Sequence, residues 1–441
     1  MAGMGKKMAE KVPKAIAGRF PLFRADFYQR RFGWLMAAMF VAGPILLLLS
    51  ATTGAGGDLI VGDARDTFEY ARALAVEGRF PERHIRYPCG PAMIGALGYF
   101  PSVLVNRLAS HLGWTSPDSL RDGWALVHQF SYCLPFILLA AWALRLNLLM
   151  LRHLGLPDST IKPVLLFWVA GTNIGYYVFK EPAMSEASTY CSLSLYYFLL
   201  LKHFCPRAGK ASPSSPASSG APVATRHWFQ IGLALGLAGI MRQQNILHGL
   251  AIPILAAQAA ARHLPTDRRG GVLLWLRGVA TVAGVSGLVF LIPYAVWAAS
   301  EGDLRLYSYR GERFDFLHPH LIATLFSPLD HGLFVWTPIY LLAACGLVPF
   351  LRRRPRLIAP LLVPVVLQYI LISSWWAYSF GSSVGHRGFF TILPILLLGL
   401  ASLFDAMATR GRAMLMTAAL FILTCLNLLL LLLISAQIVP V

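Results

Sequence analysis

Long apolar runs recur along the chain, and the short breaks between them are of two kinds. One kind is almost purely Lys and Arg; the other carries acids, aromatics and histidine. A helix needs roughly 20 apolar residues to cross a hydrocarbon core of about 30 Å. Lipid satisfies no backbone polar group, so such runs must be helical. The pattern predicts about eleven spans, at 32–50, 124–151, 163–179, 188–204, 228–241, 245–261, 272–298, 332–350, 357–373, 391–406 and 413–435. The fold class is all-α, a polytopic transmembrane helical bundle.

Charge then sorts the breaks by side, because cytoplasmic breaks collect Lys and Arg. Residues 1–31 hold eight such residues, from Lys6 to Arg31, and form a basic cytoplasmic leader. Arg152 and His153, then Arg207, Lys210 and Arg226, then Arg262, Arg268 and Arg269, then Arg352, Arg353, Arg354 and Arg356, and finally Arg410 and Arg412 also fall inside. The Ser/Pro/Ala-rich stretch 206–226 reads as a disordered cytoplasmic linker. The outer loops are 51–123, 299–331 and 374–390, and the tail 436–441 is outside. In the first outer loop an apolar run from Cys89 to Leu104 is interrupted by Gly90, Pro91, Gly95, Gly98 and Pro101, and it reads as interfacial rather than spanning. Residues 32–435 are thus one transmembrane domain, expected in a bacterial inner membrane with the N-terminus cytoplasmic.

Composition agrees. Of 441 residues only 13% are charged, against about 25% in soluble domains. The net charge of +18 sits in the inner breaks, so it reports topology and excludes a nucleic-acid partner. Six cysteines show no paired spacing, which argues against a disulfide frame or a zinc site. The first apolar stretch follows about thirty basic-rich residues and is long enough to remain as an anchor, so no cleavable signal is expected.

Candidate chemistry lies in the outer breaks. Just past the first span, Asp63, Asp66 and Tyr70 share one face if a helix begins at Asp63. A carboxylate there can take a proton from an acceptor hydroxyl or help bind a divalent ion. Asp63 also suits an N-cap and Asp66 a first-turn acid, so Asp66 is the better functional candidate and Asp58 a weaker third. Glu181 and Glu186 share a short outer turn with Lys180, either as a second acidic site or as a surface pair. The loop from Tyr307 to Phe316 brings Arg310 and Arg313 among aromatics, suited to phosphate or to a lipid–water boundary. Trp375 and Trp376 precede a glycine-rich turn ending in His386 and Arg387, where a cation could neutralise a phosphate or simply snorkel. Arg242, in the turn between two spans, needs an anionic partner or water at that depth.

The order of these segments resembles polytopic glycosyltransferases of the GT-C superfamily, which includes protein O-mannosyltransferases and lipid A aminoarabinose transferases; the similarity is to the bacterial branch. The matching pieces are Asp66 to Tyr70 with Ala73-Leu74 and Glu77-Gly78, Tyr87-Pro88-Cys89-Gly90 leading to Phe100-Pro101, and Glu181-Pro182-Ala183-Met184-Ser185. Gly236-Leu237 through Arg242 follows, then Leu325-Phe326-Ser327-Pro328, Gly332-Leu333-Phe334 and Thr337-Pro338, and lastly Trp375-Trp376 through Gly385-His386-Arg387. Together they span about 58–400; each is degenerate, and their order carries the resemblance. Glu186 stands where relatives often have His, and no Asp-x-Asp metal pair occurs.

The resemblance implies a polyprenyl-phosphate-linked sugar donor, a glycan, lipid or protein acceptor, and an acidic catalytic residue in the first outer loop: Asp66, with Asp63 as the fallback. It implies an inverting displacement in which Arg310, Arg313, His386, Arg387 and Arg242 hold the leaving phosphate, while Tyr70, Trp375 and Trp376 contact sugar or lipid. No cofactor or resident metal is expected. Two other readings stay open: a secondary transporter or flippase, which would place paired charges on broken helices at mid-membrane, and an oligosaccharide polymerase or ligase.

Overall fold

The computed structural model describes residues 25–53, 58–81, 85–114, 122–205, 223–261, 268–302, 311–381, 383–409 and 411–435. Most of the basic leader, the linker residues 206–222, the loop residues 303–310 that include Arg310, and the tail 436–441 lie outside them. The described elements are helical: α1 (Ala25–Thr53), α2 (Ala64–Arg72), α3 (Gly90–His111), α4 (Leu126–His153), α5 (Asp158–Ala170), α6 (Ile174–Phe179), α7 (Ser185–Phe204), α8 (Thr225–Met241), α9 (Ala251–Ala260), α10 (Arg268–Glu301), α11 (Leu321–Phe326), α12 (Leu333–Trp336), α13 (Ile339–Arg353), α14 (Ile358–Ser374), α15 (Leu393–Thr409) and α16 (Ala413–Ser435). Short 3₁₀ segments join α8 to α9 (Gln243–Leu250) and lead into α15 (Arg387–Ile392).

Among the described residues, six segments are long and apolar enough to cross a membrane, at Gly90–His111, Leu126–His153, Arg268–Ser300, Pro355–Ser374, Arg387–Thr409 and Ala413–Ile434. The chain is an integral membrane protein with an all-helical bundle. Several expected spans are divided. The run 163–179 breaks between α5 and α6 at Gly171-Thr172-Asn173, and 332–350 breaks at Thr337-Pro338 between α12 and α13. The Thr172 hydroxyl, which accepts the Ile174 N–H, helps satisfy the backbone at the first break.

The segment expected to lie at the interface is the full helix α3, 22 residues long, and its length and composition also suit a crossing. Pro91 occupies its first turn, where no backbone donor is lost. It packs on α4, where Gly95 lies on Tyr132, Gly98 on the Ser131 carbonyl, and Ser102 and Asn106 on His128.

α15 lies at the centre, with 89% of its apolar window buried, whereas the windows of α10 and α16 are 17% and 28% buried and present their other faces outward. Glycines set the tightest crossings, as van der Waals packing between membrane helices requires. A methyl group built on Gly346 of α13 would sit 2.0 Å from the Gly399 carbonyl of α15, and one on Gly399 would sit 2.0 Å from the Ala343 carbonyl. Gly232 and Gly236 likewise seat α8 against Val282, Ser286 and Val289 of α10. That seating fixes the end of α8, where Arg242 begins the turn.

Candidate functional site

α2 is short and amphipathic, and its apolar side is buried against neighbouring helices. Phe68 is fully buried and meets Tyr99, Trp124 and Tyr132, with ring centroids 5.0, 4.9 and 5.0 Å away. Packing this ring fixes the rotation of α2. Asp63, Ala64 and Thr67 then line a cavity of about 470 Å³. Asp66 is not part of that lining. Asp63 occupies the N-cap position but makes no capping hydrogen bond. Its carboxylate instead meets the Arg387 guanidinium at 2.9 Å. Gly62, with φ +55°, turns the chain into the helix just before it.

Arg387 arrives at the end of a folded loop. Phe380, Gly381 and Gly385 have φ of +61°, +59° and +65°, and the loop reverses through them before the 3₁₀ segment that opens α15. A left-handed Phe is rare and stores strain of order 1–3 kcal/mol, an arrangement that clusters at functional sites. Here the Phe380 N–H donates to the Ala377 carbonyl at 2.8 Å, and Arg387 donates to the Phe380 carbonyl at 3.3 Å.

Arg242 completes the cationic wall. It ion-pairs with Glu186, donates to the Ser185 hydroxyl at 2.8 Å, and donates to the Arg387 carbonyl at 3.3 Å. Glu186 is fully buried in the first turn of α7, and its other carboxylate oxygen lacks a protein partner among the described residues. Both guanidinium carbons stand over the Phe380 ring, at 6.0 and 5.9 Å from its centre.

Across the cavity, an isolated antiparallel bridge joins Phe314 to Trp375. The Asp315 N–H donates to the Ser374 carbonyl at 2.6 Å and the Trp376 N–H to the Arg313 carbonyl at 3.2 Å, so two loops far apart in sequence are laced together. This brings in Glu312, which no sequence motif singled out. Its carboxylate accepts the Trp375 indole N–H at 2.8 Å, with Arg86 4.0 Å away. Burial raises its proton affinity above the usual carboxylate range, partly offset by the indole and Arg86, and Asp63 adds to the rise. Tyr87, Phe290, Tyr294, Ile246, Leu371 and Ile372 supply much of the remaining, largely apolar lining.

The other expected residues lie elsewhere. His386 is buried beside Phe380 and Phe389, off the cavity lining; burial lowers its affinity for a proton to a pKa of about 3, so it is neutral and offers no cation to phosphate. Glu181 accepts the Tyr176 hydroxyl at 2.7 Å, and burial holds its carboxyl above the usual range. Tyr70 packs with Ile85, Cys89 and Ala92. Arg313 and Trp376 are exposed and outside the lining. Asp58 pairs with Arg65 at 2.5 Å and accepts from Gln129 at 2.8 Å. Among the described residues no three His, Cys, Asp or Glu side chains gather to hold a metal ion.

The chain matches no protein-family model and no curated protein. Its architecture is similar to the crystal structure of ArnT from Cupriavidus metallidurans in the apo state, at 14% sequence identity and a TM-score of 0.50, over 86% of this chain and 61% of that one. The chain therefore spans about three-fifths of the length of that relative. At this identity the likeness is one of fold, and the fold is GT-C-like.

Proposed function

We propose that the protein is a membrane glycosyltransferase that moves a sugar from a polyprenyl-phosphate-linked donor to a hydroxyl or amine of a glycan, lipid or protein acceptor on the outer face of a bacterial inner membrane. The observation that carries this reading is the Asp63–Arg387 contact at 2.9 Å on the wall of a cavity that Arg242 also lines. One wall thus combines a carboxylate able to accept a proton with two guanidiniums able to bind phosphate bidentately. The largely apolar remainder suits a prenyl chain, whose burial contributes about 0.8 kcal/mol per methylene.

The mechanism follows from charge. The donor phosphate draws Arg387 away from Asp63, and the freed carboxylate takes the acceptor proton. The acceptor oxygen or nitrogen forms its bond to the anomeric carbon as the bond to the phosphate oxygen breaks, with inversion. The leaving polyprenyl phosphate keeps the electron pair and is held by Arg387 and Arg242. Asp63 replaces Asp66 as the proposed base because Asp63 lines the cavity.

The secondary-transporter reading retains one supporting observation, the buried Glu186–Arg242 pair where α8 gives way to a 3₁₀ turn. One assay separates the two: membranes holding wild type or Asp63→Asn are supplied with polyprenyl phosphate carrying a radiolabelled sugar. Label passing to an acceptor in wild type and not in the variant supports transfer. Label crossing the bilayer still attached to its lipid, with none transferred, abandons it.

A further inference from the structure

Glu312 makes no contribution to the displacement above, yet it is the second carboxylate on the cavity wall. Its side chain is 11% exposed, and it was brought there by a bridge between two loops. A carboxylate has about four acceptor positions. The Trp375 indole fills one of them, and Arg86, at 4.0 Å, is too distant for a normal hydrogen bond. Its remaining acceptor positions are available to whatever occupies the cavity, and a donor there is favoured because the lining is largely apolar.

The surroundings define what that donor is. Trp375 lies beside the carboxylate and meets Phe380 with ring centroids 4.8 Å apart. Phe380 in turn lies beneath Arg242 and Arg387. One indole and one phenyl ring therefore separate Glu312 from the guanidinium pair, with Phe314 also on the lining. Aromatic rings offer an apolar face with polar edges nearby, and a carboxylate accepts from hydroxyl groups. Together they match a sugar ring, whose C–H face is apolar and whose edge is a row of hydroxyl donors.

We propose that Glu312, oriented by the Trp375 indole, is a specificity-determining residue that reads a hydroxyl of the sugar still attached to the donor phosphate. The proposal rests on the glycosyltransferase reading and assigns the far wall of the same cavity. The guanidinium wall holds the phosphate, and the Glu312–Trp375 wall discriminates what the phosphate carries. Phe314 and Phe380 flank the ring. A charge-assisted hydrogen bond in a buried site supplies about tenfold or more in affinity.

The test compares binding of two lipids to the purified full-length protein in detergent: bare polyprenyl phosphate, and the same lipid carrying each of several hexoses or pentoses. Methyl glycosides are titrated separately. The expected result is that at least one sugar-bearing lipid binds wild type about tenfold tighter than bare lipid. Glu312→Gln and Trp375→Phe abolish that gain, and both variants bind bare lipid as wild type does, which also shows that they fold. Equal binding of bare and sugar-bearing lipids by wild type overturns the proposal and leaves the lipid-phosphate reading standing. A gain that persists in Glu312→Gln, or loss of bare-lipid binding in both variants, overturns it too. Binding of methyl glycosides that depends on Glu312, without discrimination between lipids, moves the wall to the acceptor and overturns the donor assignment. Failure of wild type to bind any of the lipids defeats the glycosyltransferase reading and this inference together.

Discussion

The Asp63 carboxylate lies 2.9 Å from the Arg387 guanidinium, so the N-terminus of α2 and the 3₁₀ segment that leads into α15 meet in one ion pair on a cavity wall. The pair keeps the carboxylate occupied until a competing anion arrives. Asp63→Asn removes the proton acceptor while preserving shape, and its expected cost in kcat is about 10²–10⁴-fold, the range for a positioned general base. Asp66→Asn, off the lining, should retain most of the activity. Arg387→Lys loses the planar fork, so its defect should appear mainly as a raised KM for the lipid donor. Initial rates over a range of donor concentration separate the three. Equal loss in Asp63→Asn and Asp66→Asn would return the base to an open question.

Glu186 and Arg242 make a different use of charge. Glu186 is fully buried, and Arg242 reaches it from the end of α8. Removing one member of such a pair leaves an uncompensated charge and costs about 3–5 kcal/mol, whereas replacing both with apolar residues is often neutral. Glu186→Leu alone should lower the thermal unfolding midpoint in detergent sharply. Adding Arg242→Met should restore much of it without restoring transfer, because the second guanidinium of the phosphate wall is then missing. A double variant no more stable than the single would show that the pair is not what makes Glu186 costly to remove.

These residues differ in how far the sequence reveals them. Apolar length places some helices well: the expected spans 124–151, 188–204 and 413–435 correspond to α4, α7 and α16 with ends shifted by at most three residues, whereas the breaks inside 163–179 and 332–350 carry no signal in apolar length. Arg242 stands out in the sequence as a cation in the turn between two apolar runs, and Arg387 as the cation that ends a glycine-rich turn. The choice between Asp63 and Asp66 is not legible, because the N-cap and first-turn acids lie three residues apart and the rotation of α2 is set by Phe68 packing on α3 and α4. His386 and Arg387 are adjacent, and which of them faces the cavity depends on the left-handed turns at Phe380, Gly381 and Gly385. Glu312 carries no signal of its own in the sequence, because the Phe314–Trp375 bridge is what joins its loop to the site.

The buried His386 gives a signed pH dependence. Burial lowers its pKa from 6.5 to about 3. Above pH 6.5 the ring is neutral both folded and unfolded, and stability does not depend on it. Between pH 6.5 and about 3 the unfolded chain binds the proton and the folded chain does not. Stability contributed by this site therefore falls as pH falls through that window. His386→Phe keeps an aromatic ring between Phe380 and Phe389 and removes the titration. Thermal midpoints measured from pH 7 to pH 4.5 should decline less steeply for the variant than for wild type. Parallel curves would mean that other groups account for the acid sensitivity.

The α13–α15 crossing supplies a prediction independent of the catalytic reading. A methyl group on Gly399 would stand 2.0 Å from the Ala343 carbonyl and 2.8 Å from the Leu347 nitrogen, both backbone atoms of α13 that no rotamer change can move aside. Membrane interiors give two helices little reason to associate beyond close packing. Separating these two therefore sacrifices contacts that nothing else replaces, and α15 also carries Arg387 at its entrance. Gly399→Ala should leave the chain inserted but lower its thermal midpoint and its yield as a monodisperse species in detergent. A substitution to Val should be worse, since its branched side chain adds bulk at the same contact. Addition of the same methyl at Gly287, where nothing lies within 4 Å, should be nearly neutral. If Gly399→Ala and Gly287→Ala unfold at the same temperature, α13 and α15 can part at little cost, and the close glycine crossing is not what holds the centre of the bundle.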